Sequence, residues 1–583
     1  MALAFATTTS NFANALAAGE PLVKPPSRPR WALAALLVLC IVPRAAAAWR
    51  LDTLCKDGVF YVQLAEGFER GDLEAGLGRL RLNTYPLILA RLHRWGLDWE
   101  LASKLWGVGV SSLVVLPLFG WVRRQFDDRT ALCACFLYAI HPKMIEWSPE
   151  AIRDPTFWLL WTCSLYAAWR AVAELRLSWF LLSGAVITLA LHTRFEGWFL
   201  YLPLAWWSTC RYFALAQGRW RIVLGASAAL MVCPLALMAV NLTWLASQPH
   251  WELGNFGRLE YVALWLQAGA KESGAAPAPA TERRSVANGL EVPPTVAPTL
   301  RGGDSAAGGE RPFPVTECRG YMNVAAPAES MLARMSTKKT AIVFGNTLRR
   351  GIGGIFGLFW LAGFCTRPRL WLRRDHAVLF LVALGVAAGI WVHLWYAQAT
   401  SSRYFLTIVI LASGCSALGC LKTLDWLACA ITRLGLTSSQ GKVALAASLL
   451  FIGVLGTAEG LSTRYPGRER DAVLGQWLKR RFGAHQRLAT SGAMELVDYY
   501  AQAAAQVLPA DRAAAAAVFA EWRPVCAVLS RRQGTAEAVR QMIEAARPMG
   551  FAEIESCRLP AGFNWQDLVV LERRPRPQIA AKE

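Results

Sequence analysis

Residues 31–61 read WALAALLVLCIVPRAAAAWRLDTLCKDGVFY, an apolar run over Trp31–Trp49 followed by a short polar connector and the acidic step Lys56-Asp57-Gly58. At 1.5 Å per residue such a run is long enough to cross a bilayer. Ten more apolar runs follow. They lie near Leu101–Val122, Thr130–Trp147, Pro155–Ala173, Trp179–Leu191, Gly197–Thr209, Ile222–Leu245, Gly351–Thr366, Ala377–Tyr396, Tyr404–Cys420 and Val443–Glu459. About eleven spans in 583 residues, of which 55% are hydrophobic and only 17% charged, make this a polytopic α-helical membrane protein.

The formal net charge of +20 does not point to nucleic acid, because the basic residues sit where membrane topology wants them. With the N-terminus cytoplasmic, alternate loops carry Arg123, Arg124 and Arg129, then Arg170 and Arg176, then Arg211, Arg219 and Arg221. Later cytoplasmic loops carry Arg367, Arg369, Arg373 and Arg374, then Lys422, Arg433 and Lys442, which leaves the C-terminus outside. The first run, with Arg28 and Arg30 ahead of it and Ala45–Ala48 near its end, also fits a cleavable signal peptide. Arg44 interrupts the apolar stretch next to the cleavage-like site, so the run is read as a retained span. Lys338, Lys339, Arg349 and Arg350 fall on the outer face, a placement that long translocated loops permit but that leaves the cluster open to a functional role.

Residues 1–30 read as a disordered cytoplasmic tail and residues 31–460 as the membrane body. The body is interrupted by an outer loop, 246–340, whose middle (about 274–309) is rich in Ala, Pro, Gly and Thr and reads as a flexible insert. From 461 to 583 the composition is that of a soluble protein. Helices are expected at Asp471–Phe482, Met494–Ala503 and Thr535–Ala546. Strands are expected at Arg487–Ser491, Pro524–Leu529, Phe551–Cys557 and Leu568–Glu572. The alternation predicts a small extracytoplasmic α/β domain, without a Gly-rich nucleotide-binding turn, suited to packing or acceptor docking. The 14 cysteines lie mostly in spans and show no metal-binding spacing; Cys526 and Cys557, both in this last region, are candidates for a pair.

This topology gathers polar groups on the outer face. They are Asp52, Asp57 and Tyr61; His141, Lys143, Glu146, Glu150, Arg153 and Asp154; His192, Arg194 and Glu196; and Ser401, Ser402 and Arg403. Ionisable groups at span ends are functional candidates, although each one also fits a solvated cap. Asp154, followed by Pro155, has the pattern of a helix N-cap with proline at the first helical position.

Several of these residues stand in motifs. Asp57 and Tyr61 form an Asp-x-x-x-Tyr element, followed by Asn83-Thr84-Tyr85-Pro86-Leu87, Pro149-Glu150-Ala151-Ile152-Arg153-Asp154, Thr193-Arg194-Phe195-Glu196-Gly197 and Arg403-Tyr404. Their order and topology resemble the GT-C membrane glycosyltransferases that use polyprenyl-phosphate-linked sugars. The chain is similar in particular to the family 39/83 enzymes, which include protein O-mannosyltransferases and lipid A aminoarabinose transferases. The likeness covers Trp31 to Tyr212 well and the later spans more loosely.

The resemblance implies an inverting transfer in which Asp57 takes the acceptor proton and Asp154 orients acceptor or sugar hydroxyls. Tyr61, Arg153, Arg194, Glu196, Arg403, Arg349 and Arg350 are the implied substrate-binding residues, arginine being suited to phosphate oxygens. Arg194 and Arg403 also fit simple ion pairs with Glu196 or Glu150. The sequence departs from the family in two places: Gly58 stands where many members have a second acidic residue, and Thr84 where some have a lysine. The second departure counts against aminoarabinose as the sugar. The sequence marks no cofactor for certain; a divalent cation is compatible with the chemistry, though no dense carboxylate cluster marks a site.

The expected activity is hexosyl or pentosyl transfer from a polyprenyl-phosphate sugar donor to a lipid, glycan or protein acceptor on the outer face of the cytoplasmic (inner) membrane. The expected partners are those substrates and membrane lipids, with no nucleic acid. A transporter or lipid flippase is the alternative, but such proteins place their charges at mid-membrane in repeated halves. A silent scaffold that merely presents the C-terminal domain is a third reading.

Overall fold

The computed structural model describes residues 30–77, 83–174, 176–194, 196–215, 220–246, 336–366, 368, 374–397, 401–433, 438–463, 465–492, 494–531, 536–555, 558–561 and 565–574. The expected tail before Arg30, the insert at 274–309, most of the 246–340 loop, Cys557 and the loop arginines Arg219, Arg367, Arg369 and Arg373 lie outside these residues.

The chain opens with α1 (Arg30–Arg50), then the short helices α2 (Lys56–Glu69), α3 (Leu73–Leu77) and α4 (Thr84–Arg94). Next come α5 (Trp99–Leu113), α6 (Val115–Gln125), α7 (Asp128–Ile140), α8 (Pro142–Trp147), α9 (Asp154–Glu174), α10 (Leu177–Thr193), α11 (Gly197–Leu215) and α12 (Trp220–Ala246). After the undescribed stretch lie α13 (Thr337–Ile352), α14 (Gly354–Thr366), α15 (Arg374–Ala397), a 3-10 turn at Ser402–Phe405, α16 (Leu406–Arg433) and α17 (Ser438–Ser462). Among the described residues, five helical stretches are long and apolar enough to cross a membrane: Trp31–Arg50, Trp99–Gln125, His376–Trp395, Ser402–Ile431 and Ala446–Phe482. Leu177–Thr193, Val223–Leu237 and Gly354–Thr366 are shorter apolar helices.

Proline marks two of the expected spans, one by a local interruption and one by a break. The run at 101–122 stays helical through Val114 (φ −53°, ψ −32°) as part of the stretch Trp99–Gln125, but its hydrogen bonding is interrupted there, three residues before Pro117, whose missing N–H removes a helical hydrogen bond. The run at 130–147 divides at His141, which precedes Pro142 and adopts the extended backbone (φ −66°, ψ 121°) that proline imposes on its neighbour. The core of the bundle is aromatic, with Trp121, Trp158, Trp161 and Tyr201 all but inaccessible. Close helix crossing relies on missing side chains: a Cβ at Gly363 of α14 would strike the Cys415 carbonyl of α16, and one at Gly419 would strike that of Phe359.

Beyond α17 come α18 (Pro466–Phe482), β1 (Arg487–Thr490), α19 (Glu495–Ala501), β2 (Ala504–Val507), α20 (Arg512–Trp522), β3 (Cys526–Ser530), α21 (Ala536–Ala546), β4 (Phe551–Glu553) and β5 (Leu568–Arg573). The sheet order is β2-β1-β3-β5-β4, parallel across β2, β1 and β3, with β5 antiparallel to both β3 and β4. Side chains alternate across it: Cys526, Val528 and Val570 join Leu474 and Val497 on one face, while Ala527, Leu529 and Val569 join Phe519 and Met542 on the other. Both faces being covered explains why β3 is buried throughout. Cys526 is a fully buried thiol on β3, while Cys557, the other candidate for a pair, lies outside the described residues. The expectation omitted β2 and α20, the first of which is a short, half-exposed edge strand.

Candidate active site

The Asp57 carboxylate sits in the first turn of α2, where the helix N-terminus favours negative charge. The turn is closed by the Cys55 sulfur, which accepts from the Gly58 N–H at 3.3 Å. α2 lies flat against the loop between α8 and α9, and the fit explains Gly58. A Cβ there would come within 2.7 Å of the Ala151 Cβ, so the second acidic residue of related sequences has no room.

The Arg403 guanidinium, brought in by the 3-10 turn, forms an ion pair with Asp57 across 346 residues of sequence. It lies 5.4 Å from the ring centres of both Trp147 and Tyr404. Burial pushes the Asp57 carboxyl up, but Arg403 and then the more distant Arg153 and Arg194 outweigh it and hold the group below the usual carboxylate range. Arg153 lies 5.9 Å from the centre of the Tyr61 ring, which packs edge-on against Tyr85 at 5.3 Å. Burial pushes the Tyr61 phenol up to about 12, so it remains a neutral wall residue.

A second cluster lies on the other side of Tyr404. Arg194 pairs with Asp154 and donates twice to Glu196, from Nε at 3.1 Å and from a terminal nitrogen at 2.6 Å. All three side chains are almost completely buried, and the guanidinium lies 5.1 Å from the Tyr404 ring centre. Asp154 therefore gives its carboxylate to Arg194 and not to the backbone of its own helix. Thr84, in the position of the absent lysine, bonds Thr193 hydroxyl to hydroxyl at 2.6 Å, beside Arg194.

The structure thus joins Asp57, Tyr61, Arg153, Asp154, Arg194, Glu196 and Arg403 into one neighbourhood. Arg349 and Arg350 are exposed on the last turn of α13 and make no ion pair among the described residues. α13 packs on the 3-10 turn through Phe344 and Phe405, whose rings are 5.1 Å apart, and through Gly351, which lies against Ser402 and Phe405. Glu150, considered as a partner for Arg194 or Arg403, instead pairs with Arg468 at 2.6 Å. No group of three or more His, Cys, Asp or Glu side chains that could hold a metal ion occurs among the described residues.

Sequence reasoning missed the supports of this site. Arg44 is wholly buried in α1 and donates to the carbonyls of Cys40, Tyr138 and Ala139 and to Ser148 Oγ, which ties α1 to the start of the loop leading to Asp154. The Tyr500 hydroxyl of α19 accepts from the Leu54 N–H at 3.0 Å and donates to Glu100 at 2.7 Å, and Glu495 meets Lys56 at 3.2 Å. The C-terminal unit therefore grips the entry to α2. A charge inside an apolar run was the one available signal for Arg44; nothing local marks Tyr500.

The pattern of the family described as dolichyl-phosphate-mannose-protein mannosyltransferase matches residues 100–244 of the 583. No curated protein sequence matches the chain. Among solved structures, ArnT from Cupriavidus metallidurans bound to undecaprenyl phosphate is similar at 12% identity and a TM-score of 0.50, covering 95% of this chain and 99% of that one. The apo oligosaccharyltransferase of Archaeoglobus fulgidus is similar at 13% identity over 91% of this chain and 73% of that one, with a TM-score of 0.48. The Archaeoglobus fulgidus oligosaccharyltransferase AglB, in complex with an inhibitory peptide and a dolichol-phosphate, gives 12%, 92%, 76% and 0.48 respectively. The fold is the GT-C fold, with a small C-terminal sheet region.

Proposed function

We propose that the chain transfers a hexose or pentose from a polyprenyl-phosphate donor to a hydroxyl or amine acceptor, with inversion at the anomeric carbon. The observation that carries this reading is the Asp57–Arg403 pair, a carboxylate base and a phosphate-binding cation side by side where a membrane span begins. It is supported by a fold shared with ArnT, whose structure holds undecaprenyl phosphate.

In this mechanism the acceptor oxygen or nitrogen forms a bond to the anomeric carbon while its proton passes to the Asp57 carboxylate. The bond from that carbon to the phosphate oxygen breaks, and its electron pair leaves on the phosphate. Arg403, with Arg349 and Arg350 on the neighbouring helix end, balances the departing charge. A donor phosphate competes with Asp57 for Arg403. Binding the donor therefore loosens the hold that keeps Asp57 a weak base, and basicity returns when it is needed. Arg194, fully engaged by Asp154 and Glu196, serves as a rigid post that positions Tyr404, while Tyr61 and Arg153 wall the sugar site.

The arginine-rich alternate loops support an inner-membrane location with this face, and the C-terminal unit, on the outer side. The contact of that unit with α2 suits a role in choosing the acceptor. The test is sugar transfer by the purified protein in lipid with a panel of polyprenyl-phosphate sugars, wild type beside Asp57→Asn. Donor-dependent transfer, or slow donor hydrolysis, that disappears in the variant is expected. Turnover that survives Asp57→Asn removes Asp57 as the base.

A further inference from the structure

We propose that Arg468 of the C-terminal unit is a positioning residue for the Asp57 carboxylate, an inference that rests on the proposed role of Asp57 as the base. The three residues that precede Asp57 are all held from that unit. The Leu54 N–H donates to the Tyr500 hydroxyl at 3.0 Å, and Lys56 meets Glu495 at 3.2 Å, both partners lying on α19. Cys55, between them, is held indirectly, through Glu150 and then Arg468.

The path from Arg468 runs over three contacts. Arg468, in the first turn of α18, lies 3.8 Å from the centre of the Tyr465 ring and reaches Glu150 from a terminal nitrogen at 2.6 Å. Glu150 is buried, which pushes its carboxyl up, and Arg468 opposes this more than any other group. The same carboxylate engages the buried Cys55 thiol, whose sulfur also lies 3.9 Å from the Ala151 carbonyl oxygen. That sulfur accepts from the Gly58 N–H at 3.3 Å and so caps α2, whose first turn carries Asp57. Sulfur is a weak acceptor, so a cap of this kind depends on the thiol being pinned from its other side.

The contact between Arg468 and Glu150 is no surface latch. The two side chains are 20% and 1% exposed, and Glu150 stands four residues before Asp154 in the loop against which α2 lies. That fit has no slack, since a Cβ at Gly58 would come within 2.7 Å of the Ala151 Cβ. A shift of Glu150 and Ala151 therefore passes to the turn that carries Asp57. Reacting groups must be held within about 0.5 Å of their working geometry, and a misplacement of about 1 Å costs about 100-fold in rate. The charges that hold the Asp57 carboxyl low are foremost Arg403, Arg153 and Arg194. Arg468 thus bears on where Asp57 sits, while Arg403 bears on its charge.

The test uses the full-length protein in lipid nanodiscs. Arg468→Met alone strands a buried carboxylate, so the decisive variant is the double Arg468→Met/Glu150→Leu, in which an apolar pair of similar size replaces the ion pair and the fold is kept. With a polyprenyl-phosphate sugar that the wild type uses, kcat should fall about 30-fold while donor KM stays within about twofold. Cys55→Ala should lower kcat in the same way, and Cys55→Ser, which keeps a capping atom, should restore most of it. A folded double variant with wild-type kcat, a loss confined to KM, or wild-type kcat in Cys55→Ala would overturn the proposal. Alkylation of Cys55 by N-ethylmaleimide, located by mass spectrometry, needs no turnover: the thiol should be protected in the wild type and labelled in the double variant. If the wild type transfers no sugar, the proposed function fails; equal labelling of Cys55 in the two proteins then overturns the path from Arg468 as well, and faster labelling in the variant supports it.

Discussion

Arg403→Gln is the perturbation that discriminates best among roles for the Asp57 pair. The Arg403 side chain is 14% exposed and that of Asp57 is 32% exposed, so the pair is neither a solvated surface contact nor a dry one. Losing a charge-assisted hydrogen bond of this kind costs about 2 kcal/mol of stability, short of the value for a fully buried pair. The kinetic effect should be larger. If Arg403 meets the departing phosphate, its removal takes away a preorganised cation, and kcat should fall about 100- to 1,000-fold. The pH profile adds a second readout. In the wild type Arg403 is the largest force holding the Asp57 carboxyl down, against a burial effect that pushes it up. A base with a lowered pKa stays ionised to more acid pH, and its activity is lost only as pH falls through that lowered value. Without Arg403 the burial effect remains, so the acid limb of kcat/KM, which reports the donor-free enzyme, should move to higher pH. The assay is transfer rate against pH in nanodiscs, with donor affinity measured separately by displacement. A variant within a few-fold of wild type, or one whose rate falls while the acid limb stays in place, would refute this account of the pair.

Three further predictions follow from contacts away from the reacting groups. Arg44→Met removes four donated hydrogen bonds that end on α7 carbonyls, on Cys40 and on Ser148; it should cost about 3 kcal/mol, visible as a lower unfolding temperature in detergent, with loss of transfer as the Ser148 end of the loop loosens. Gly58→Ala places a Cβ 2.7 Å from that of Ala151; overpacking of this kind costs about 1–3 kcal/mol, and because Asp57 is the preceding residue kcat should fall more than donor affinity. Tyr500→Phe breaks the contacts to Leu54 and Glu100; about 1 kcal/mol of stability should be lost, and limited proteolysis should release the C-terminal unit faster than in wild type.

How much of this was legible in the sequence depends on the range of the forces involved. Spans, their proline breaks and the α/β alternation after residue 461 are written in local periodicity, and residues a few positions apart carry them. The site is written in charges that meet across the chain: Asp57 with Arg403 over 346 residues, Glu150 with Arg468 over 318, Tyr500 with Glu100 over 400. Motif order could bring these residues to one neighbourhood, but it could not pair them, and the pairing decides what each one does. Four arginines make the point. Arg44 is spent on backbone carbonyls and holds a helix break; Arg194 is locked between two carboxylates and cannot also take a phosphate without leaving a buried charge unpaired. Arg403 makes one ion pair among the described residues, with Asp57, and also feels the nearby Asp154 carboxylate, so a phosphate can take the place of Asp57 without stripping it of all negative neighbours; Arg349 is exposed with no ion pair among the described residues. On the proposed mechanism, a guanidinium that is already neutralised acts as scaffold, and one with an exchangeable counter-ion is free to bind the donor. That distinction ranks Arg403 and the end of α13 above Arg194 as the place where a lipid phosphate would bind.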